Sequence, residues 1–104
     1  MTKTEAVKFG KAVGDLTRQR ILHYCNCQRR SVGEVATYCS VSQPTASHHL
    51  GILEDSKLVS REKEGKTVFY TVRQDTFVKC CCQMLNLMAP DNAVTKAANH
   101  CQCG

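Results

Sequence analysis

The stretch 41–50, V-S-Q-P-T-A-S-H-H-L, constrains this chain more than any other. It contains a helix start with no acidic residue. Ser42 is a side-chain cap, and Pro44 falls in the first turn, where its missing N–H would have had no partner. Ala46, Leu50 and Leu53 then recur at helical spacing, which predicts a stripe that faces a core. At about 100° per residue, Ser47 and His48 lie well off that stripe, while Gln43 and Thr45 crowd the N-terminal turn. The outward side therefore consists of short, neutral hydrogen-bonding groups at a helix N-terminus, the chemistry that meets phosphates and base edges in a major groove. An ordinary capped surface helix shows the same local pattern, so the flanking segments decide.

Upstream, residues 4–13 read as a first helix with a weak apolar face of Val7 and Phe9, interrupted by Gly14. Asp15 caps a second helix, 16 to about 25, expected to expose its basic residues and bury Leu16, Ile21 and Leu22. Residues 26–30 are polar and read as a loop. A short helix over 31–39 follows, with Val32, Val35 and Ala36 inward and Glu34 three residues after Ser31, a capping-box spacing. Ser40 and Val41 make a tight connection into the 41–50 stretch. Two short helices so joined form a helix-turn-helix candidate.

Downstream, Leu58 and Val59 begin an extended segment, Glu64-Gly65 reads as a tight turn, and 67–72 is rich in β-branched and aromatic residues. This predicts a β-hairpin with Arg61, Lys63 and Lys66 at its tip and sides. A helix-turn-helix followed directly by a basic hairpin is a winged helix, so the expected class is mainly α with a small β-hairpin. A last helix runs from 75 to about 88, where Ala89-Pro90 stops it. Its expected stripe is Phe77, Cys81, Met84, Leu85 and Met88, with Val78 and Cys80 at the edges and Cys82 off it. A terminal helix this apolar has little core left to meet in 104 residues, which predicts a dimer face. The chain thus divides into a winged-helix and dimerisation domain, 1–89, and a cysteine-containing tail, 90–104.

Formal net charge is +5, from 14 Lys+Arg against 9 Asp+Glu, a bias that fits a polyanionic partner without establishing one. Eight cysteines in so short a chain admit two readings. A disulfide scaffold needs a secretory route, yet residues 1–11 are polar and charged, and no stretch approaches membrane-spanning length. The expectation is a reducing cytoplasm and no membrane partner, with clustered cysteines acting as metal ligands or redox thiols. No base with an orienting partner and no glycine-rich phosphate loop is evident, so neither an enzyme nor a small-molecule substrate is expected.

The run G-D-L-T-R-Q-R-I-L, then S-V-G-E-V-A, V-S-Q-P-T-A-S-H-H-L, L-E-D-S-K-L-V and E-G-K-T-V-F-Y resembles the ArsR/SmtB family of bacterial winged-helix repressors over roughly residues 8–72. The resemblance implies a homodimer built from the first and last helices that binds double-stranded operator DNA and releases it when an inducer binds. It places Gln43, Thr45, Ser47 and His48 where the recognition helix meets the major groove, with Ser42 at that helix's start. Arg61, Lys63 and Lys66 fall on the wing, beside the backbone or minor groove. His49, next to Leu50, reads equally as a packing or network histidine and as a DNA contact.

The cysteines depart from that family's pattern. Arsenic and cadmium sensors of this kind carry Cys-x-Cys at the start of the first helix-turn-helix helix, where this chain has Ser31-Val32-Gly33. The carboxylate and histidine set that zinc sensors carry on the last helix is also missing. Present instead are Cys80-Cys81-Cys82, Cys101-x-Cys103 and Cys25-x-Cys27. Three consecutive cysteines on a helix point about 100° apart and cannot all bind one ion. Two can, with a third thiolate from Cys101 or Cys103 in the same subunit or across the dimer. Such sulfur donors suit soft guests such as As(III), Sb(III), Cd(II), Pb(II) or Hg(II), with Zn(II) less favoured; ligand type and the family resemblance together put As(III) first. Cys39 reads as a small core hydrophobe. Cys25 and Cys27 read either as a second ligand pair or as incidental loop residues. A thiol redox or reactive-sulfur sensor of the same fold is the competing reading.

Overall fold

In the computed structural model, which describes residues 2–91, eight elements follow in chain order. They are α1 (Lys3–Val13), α2 (Leu16–Cys27), β1 (Arg30–Ser31), α3 (Val32–Cys39), α4 (Gln43–Asp55), β2 (Val59–Glu64), β3 (Thr67–Val72) and α5 (Gln74–Met88). The first four helices begin on side-chain caps. The Glu5 N–H donates to Thr2 Oγ1 at 3.1 Å and the Arg18 N–H to Asp15 Oδ2 at 3.0 Å. Ser31 and Glu34 complete a reciprocal capping box on α3, at 3.2 and 2.9 Å. The Thr45 N–H donates to Ser42 Oγ at 3.2 Å, with Pro44 in the first turn of α4. Each cap satisfies a backbone donor that a helix start leaves without a partner.

The two helix-turn-helix helices also end alike. The Ser40 N–H donates to Thr37 O and the Val41 N–H to Ala36 O; the Lys57 N–H donates to Glu54 O and the Leu58 N–H to Leu53 O. These are paired six-to-one and five-to-two closures that return the chain sharply at a helix end. The pivot in each is left-handed, Ser40 at φ 56° and Lys57 at φ 61°, a conformation in which a Cβ is disfavoured. Leu58 and Leu53, joined by the outer bond at the end of α4, are both fully buried.

The core lies where α2, α3 and α4 meet the sheet. Ile21, Leu22 and Cys25 of α2, Val35, Ala36 and Cys39 of α3, and Ala46, Leu50 and Leu53 of α4 form one buried cluster with Leu58, Val59, Tyr70, Phe9 and Ala12. The stripe expected on α4 is thus the buried one. Leu16, expected inside, is 73% exposed. Helical arithmetic explains it: Leu16 lies about 140° from Ile21 and about 120° from Leu22 around α2, so it cannot share their face. Val7, half of the expected α1 face, is also exposed, and only Phe9 and Ala12 of that helix are buried.

The expected polar loop at 26–30 is mostly structured. The second helix continues to Cys27, and Arg30–Ser31 pairs antiparallel with Tyr70 and Phe69, giving a three-stranded sheet in the order β1-β3-β2. Two residues are too few to show strand periodicity, so only the pairing with β3 reveals this one. The hairpin turn sits one residue later than expected: Glu64 pairs with Thr67, leaving Gly65 and Lys66 as a two-residue loop. Gly65 has φ +63° at the first loop position, the sign that a type II′ turn requires there.

Two substitutions test this account. Leu53→Ala, which empties a fully buried site, should lower unfolding free energy by about 2–5 kcal/mol. Lys57→Gly, which relieves the left-handed pivot, should raise it by about 1 kcal/mol. Urea unfolding followed by circular dichroism measures both, and a Lys57→Gly protein no more stable than the parent would contradict the pivot.

Candidate nucleic-acid interface

Burying Ala46, Leu50 and Leu53 turns the opposite side of α4 outward. Ser42, Gln43, Pro44, Thr45, Ser47 and His48 are all exposed at its N-terminal end. Their hydroxyls are not all free: Ser42 Oγ also donates to Thr45 Oγ1 at 2.9 Å. The Gln43 amide rests against α3, where a Cβ built on Gly33 would lie 3.6 Å from its Nε2.

His49 is held within the protein. Its side chain is 15% exposed, and its Nδ1 lies 3.0 Å from Arg18 Nη1 and 4.0 Å from Asp15 Oδ2. Arg18 donates further to Ala12 O through Nε at 2.8 Å and to Lys11 O through Nη2 at 2.9 Å. One guanidinium therefore closes the C-terminal carbonyls of α1, stands at the start of α2 and reaches α4. Because an arginine has only donors, Nδ1 of His49 must be the unprotonated acceptor. His49 is thus engaged in a network within the protein, the first of its two expected readings.

On the wing, β-strand alternation sorts the charges. Arg61 pairs with Tyr70 and Lys63 with Val68, on one face of the hairpin; Glu62 pairs with Phe69 and Glu64 with Thr67, on the other. Arg61, Lys63 and Lys66 are exposed, as expected.

Among the described residues, Cys25 and Cys39 differ from the cysteines of α5. Cys25 and Cys39 belong to the core, and burial pushes the Cys25 thiol up to about 11. Cys25 is therefore a packing residue of α2 rather than one of a pair of loop ligands. On α5, Phe77, Cys80 and Met84 pack toward the core, with Phe9 and Phe77 edge to face at 6.0 Å between centroids. Cys81 is exposed and Cys82 buried, the reverse of the expected order. Phe77 and Met84 keep their expected inward places, while Cys80, expected at the edge of the stripe, packs inward where Cys81 was expected. Burial pushes the Cys80 thiol above its ordinary value. Among the described residues, no three His, Cys, Asp or Glu groups come together to hold an ion. Cys101 and Cys103 lie outside the described residues.

These features define a winged helix-turn-helix DNA-binding domain. The chain belongs to the arsR family of bacterial regulatory proteins, whose model matches residues 15–61. It is 34% identical to the transcriptional repressor SdpR of Bacillus subtilis over 70 residues, covering 64% of this chain and 78% of that one. It is 31% identical to an arsenical resistance operon repressor of Staphylococcus aureus, with 67% of each chain covered. The structure of reduced HlyU from Vibrio cholerae superposes with a TM-score of 0.65 at 31% identity, over 83% of this chain and 90% of that one. The winged-helix resemblance is thereby confirmed, and the relatives are transcriptional regulators rather than enzymes. Among the described residues, no helix is long and apolar enough to cross a membrane.

The His49 network carries a pH signature. Desolvation, ahead of the Arg18 and His48 charges, holds the imidazole below its ordinary value of about 6.5, with Asp15 opposing. The folded protein therefore binds fewer protons than the unfolded chain as pH falls through about 6.5, so stability falls in that window. Urea midpoints should drop between about pH 7.5 and about pH 5.5, and His49→Gln should flatten part of that drop. An unchanged slope in His49→Gln would remove His49 from the titration.

Proposed function

We propose that the chain is a homodimeric, operator-binding transcriptional repressor that releases DNA when a thiophilic metal(loid), As(III) first, binds cysteine thiolates. The exposed, neutral hydrogen-bonding end of α4 beside a basic wing is the observation that carries the DNA half. Gln43 and His48 read base edges, Ser42, Thr45 and Ser47 contact phosphates or bases, and Arg61, Lys63 and Lys66 supply phosphate contacts from the wing. Phosphate contacts give most of the affinity and its salt dependence.

The dimer forms through α1 and α5. Support comes from the apolar surface that the single chain leaves open on those helices: Val7, Val78, Leu87 and Met88 are each 47% exposed or more. A two-fold dimer then requires an imperfect palindrome with half-sites about one helical turn apart.

Cys80, Cys81 and Cys82 on α5, with Cys101 and Cys103 of the 90–104 tail, are the proposed thiolates for the inducer. The exposed Cys81 and the half-buried Cys80 are the nearest to solvent of the three, while the buried Cys82 contributes only if α5 shifts. The soft sulfur set, and an arsenical-resistance repressor among the relatives, support As(III) over oxygen-seeking ions. The described residues hold no complete set by themselves, so the tail or the partner subunit supplies the remainder. Because α5 is also the proposed dimer helix, its displacement alters the spacing of the two copies of α4. A coupling of ~1–3 kcal/mol lowers operator affinity about 5–150-fold.

Two experiments test the halves separately. Replacing Arg61, Lys63 and Lys66 together by Ala should lower the slope of log affinity against log salt by up to about three, whereas Gln43→Ala should cost about tenfold on one sequence and relax base preference. Independently, As(III), Cd(II) and Zn(II) are titrated into the operator complex of the wild type and of Cys→Ser variants at 80–82 and at 101 with 103. Loss of the response in these variants is expected. A response that survives both sets overturns the thiolate assignment, and release by peroxide or polysulfide alone replaces the metal with a redox trigger.

A further inference from the structure

The wing contains a contradiction that the DNA-binding reading leaves open. Its strand β2 alternates Arg61-Glu62-Lys63-Glu64, so a hairpin meant for a polyanion carries two carboxylates among its three cations. Strand alternation puts both carboxylates on the face that carries Phe69 and both strand cations on the face that carries the buried Tyr70. A residue outside the hairpin meets the acidic face. Arg29, immediately before β1, lies with its guanidinium carbon 4.2 Å above the Phe69 ring. Its Nη1 lies 2.5 Å from Glu64 Oε2 and 3.9 Å from Glu62 Oε1. One side chain thus stacks on the sheet and meets both carboxylates, which a lysine's point charge does less well.

We propose that Arg29 is a positioning residue for operator binding, neutralising Glu62 and Glu64 and pinning the acidic face of the wing to the body of the domain. The wing then meets DNA as the cationic strip of Arg61, Lys63 and Lys66. Each ion pair is exposed and contributes little to folding. The effect is instead on the field at the wing, where an uncompensated carboxylate repels the phosphates that the neighbouring lysines attract. The adjacent Arg30 turns the other way: its guanidinium carbon lies 3.9 Å from the Tyr24 ring centre, and its Nε donates to Tyr24 O at 3.2 Å. The two arginines therefore differ in role despite adjacent positions, Arg30 fixing β1 to α2 and Arg29 serving the wing.

This inference rests on the operator-binding reading, and the test separates the two because wild-type binding is measured first. The probe is a duplex selected by the wild-type protein from a random-sequence pool. Failure to select any duplex would sink the DNA reading itself. Given binding, Arg29→Ala should weaken affinity by about three- to tenfold while the thermal midpoint stays within a few degrees. Adding Glu62→Gln and Glu64→Gln to Arg29→Ala should restore affinity to near wild type, and those two changes alone should not weaken binding. Arg29→Lys, which keeps the charge, should retain most of the affinity. If Arg29→Ala has no effect, or if the triple variant stays as weak as Arg29→Ala, the proposal is overturned. The second outcome would make Arg29 a direct phosphate contact or a purely structural one.

Discussion

The removal of one face of α4 from water organises the rest of the molecule. Ala46, Leu50 and Leu53 are fully buried against α2, α3 and the root of the hairpin. Buried apolar area is the main favourable term in folding a domain this small, and a helix cannot hide one side without presenting the other. The exposed polar end of α4 is therefore a consequence of core packing as much as of its own composition. Whatever shifts α4 in that core shifts the surface offered to DNA.

Orientation comes from directional interactions laid over that burial. Matching left-handed closures at the ends of α3 and α4 set where the chain re-enters the next element, at the cost of two non-glycine residues in a disfavoured conformation. Arg18 adds a fixed bracket in which the carbonyl end of α1, the cap of α2 and the ring of His49 on α4 share one guanidinium. The wing is held at its base by the pairing of β1 with β3 and along its acidic face by Arg29. Specific hydrogen bonds and stacks thus fix angles that nondirectional apolar burial leaves loose.

Helix α5 shows two demands on one element. Its inner edge packs Phe77, Cys80 and Met84 toward the core and against α1, while Val78, Leu87 and Met88 remain open. In the proposed dimer those open residues meet a second copy, so the helix that carries the clustered thiols also sets the distance between the two recognition helices. Cysteine serves both ends of this arrangement. Desolvated in the core, as at Cys25, it is an inert small hydrophobe; on α5, where burial also raises the Cys80 and Cys81 thiols, it is the proposed ligand for a soft ion.

The stretch 41–50 by itself determined the cap, the buried stripe and the outward polar end of α4, because all three depend on spacing within a single helix. Ser31 with Glu34, and the order of a helix-turn-helix before a basic hairpin, were legible for the same reason. The tertiary structure alone decided the rest. Strand β1 has two residues and exists only because β3 offers it partners. The exposure of Cys81 and the burial of Cys82 follow from the neighbours against which α5 rests, whereas the outward place of Leu16 was already implicit in its helical spacing from Ile21 and Leu22. The Arg18–His49 contact was hidden because it joins side chains 31 residues apart, and the place of Arg29 because it depends on how two strands face each other. Local periodicity states which residues of one element share a face; only packing against other elements states what that face meets.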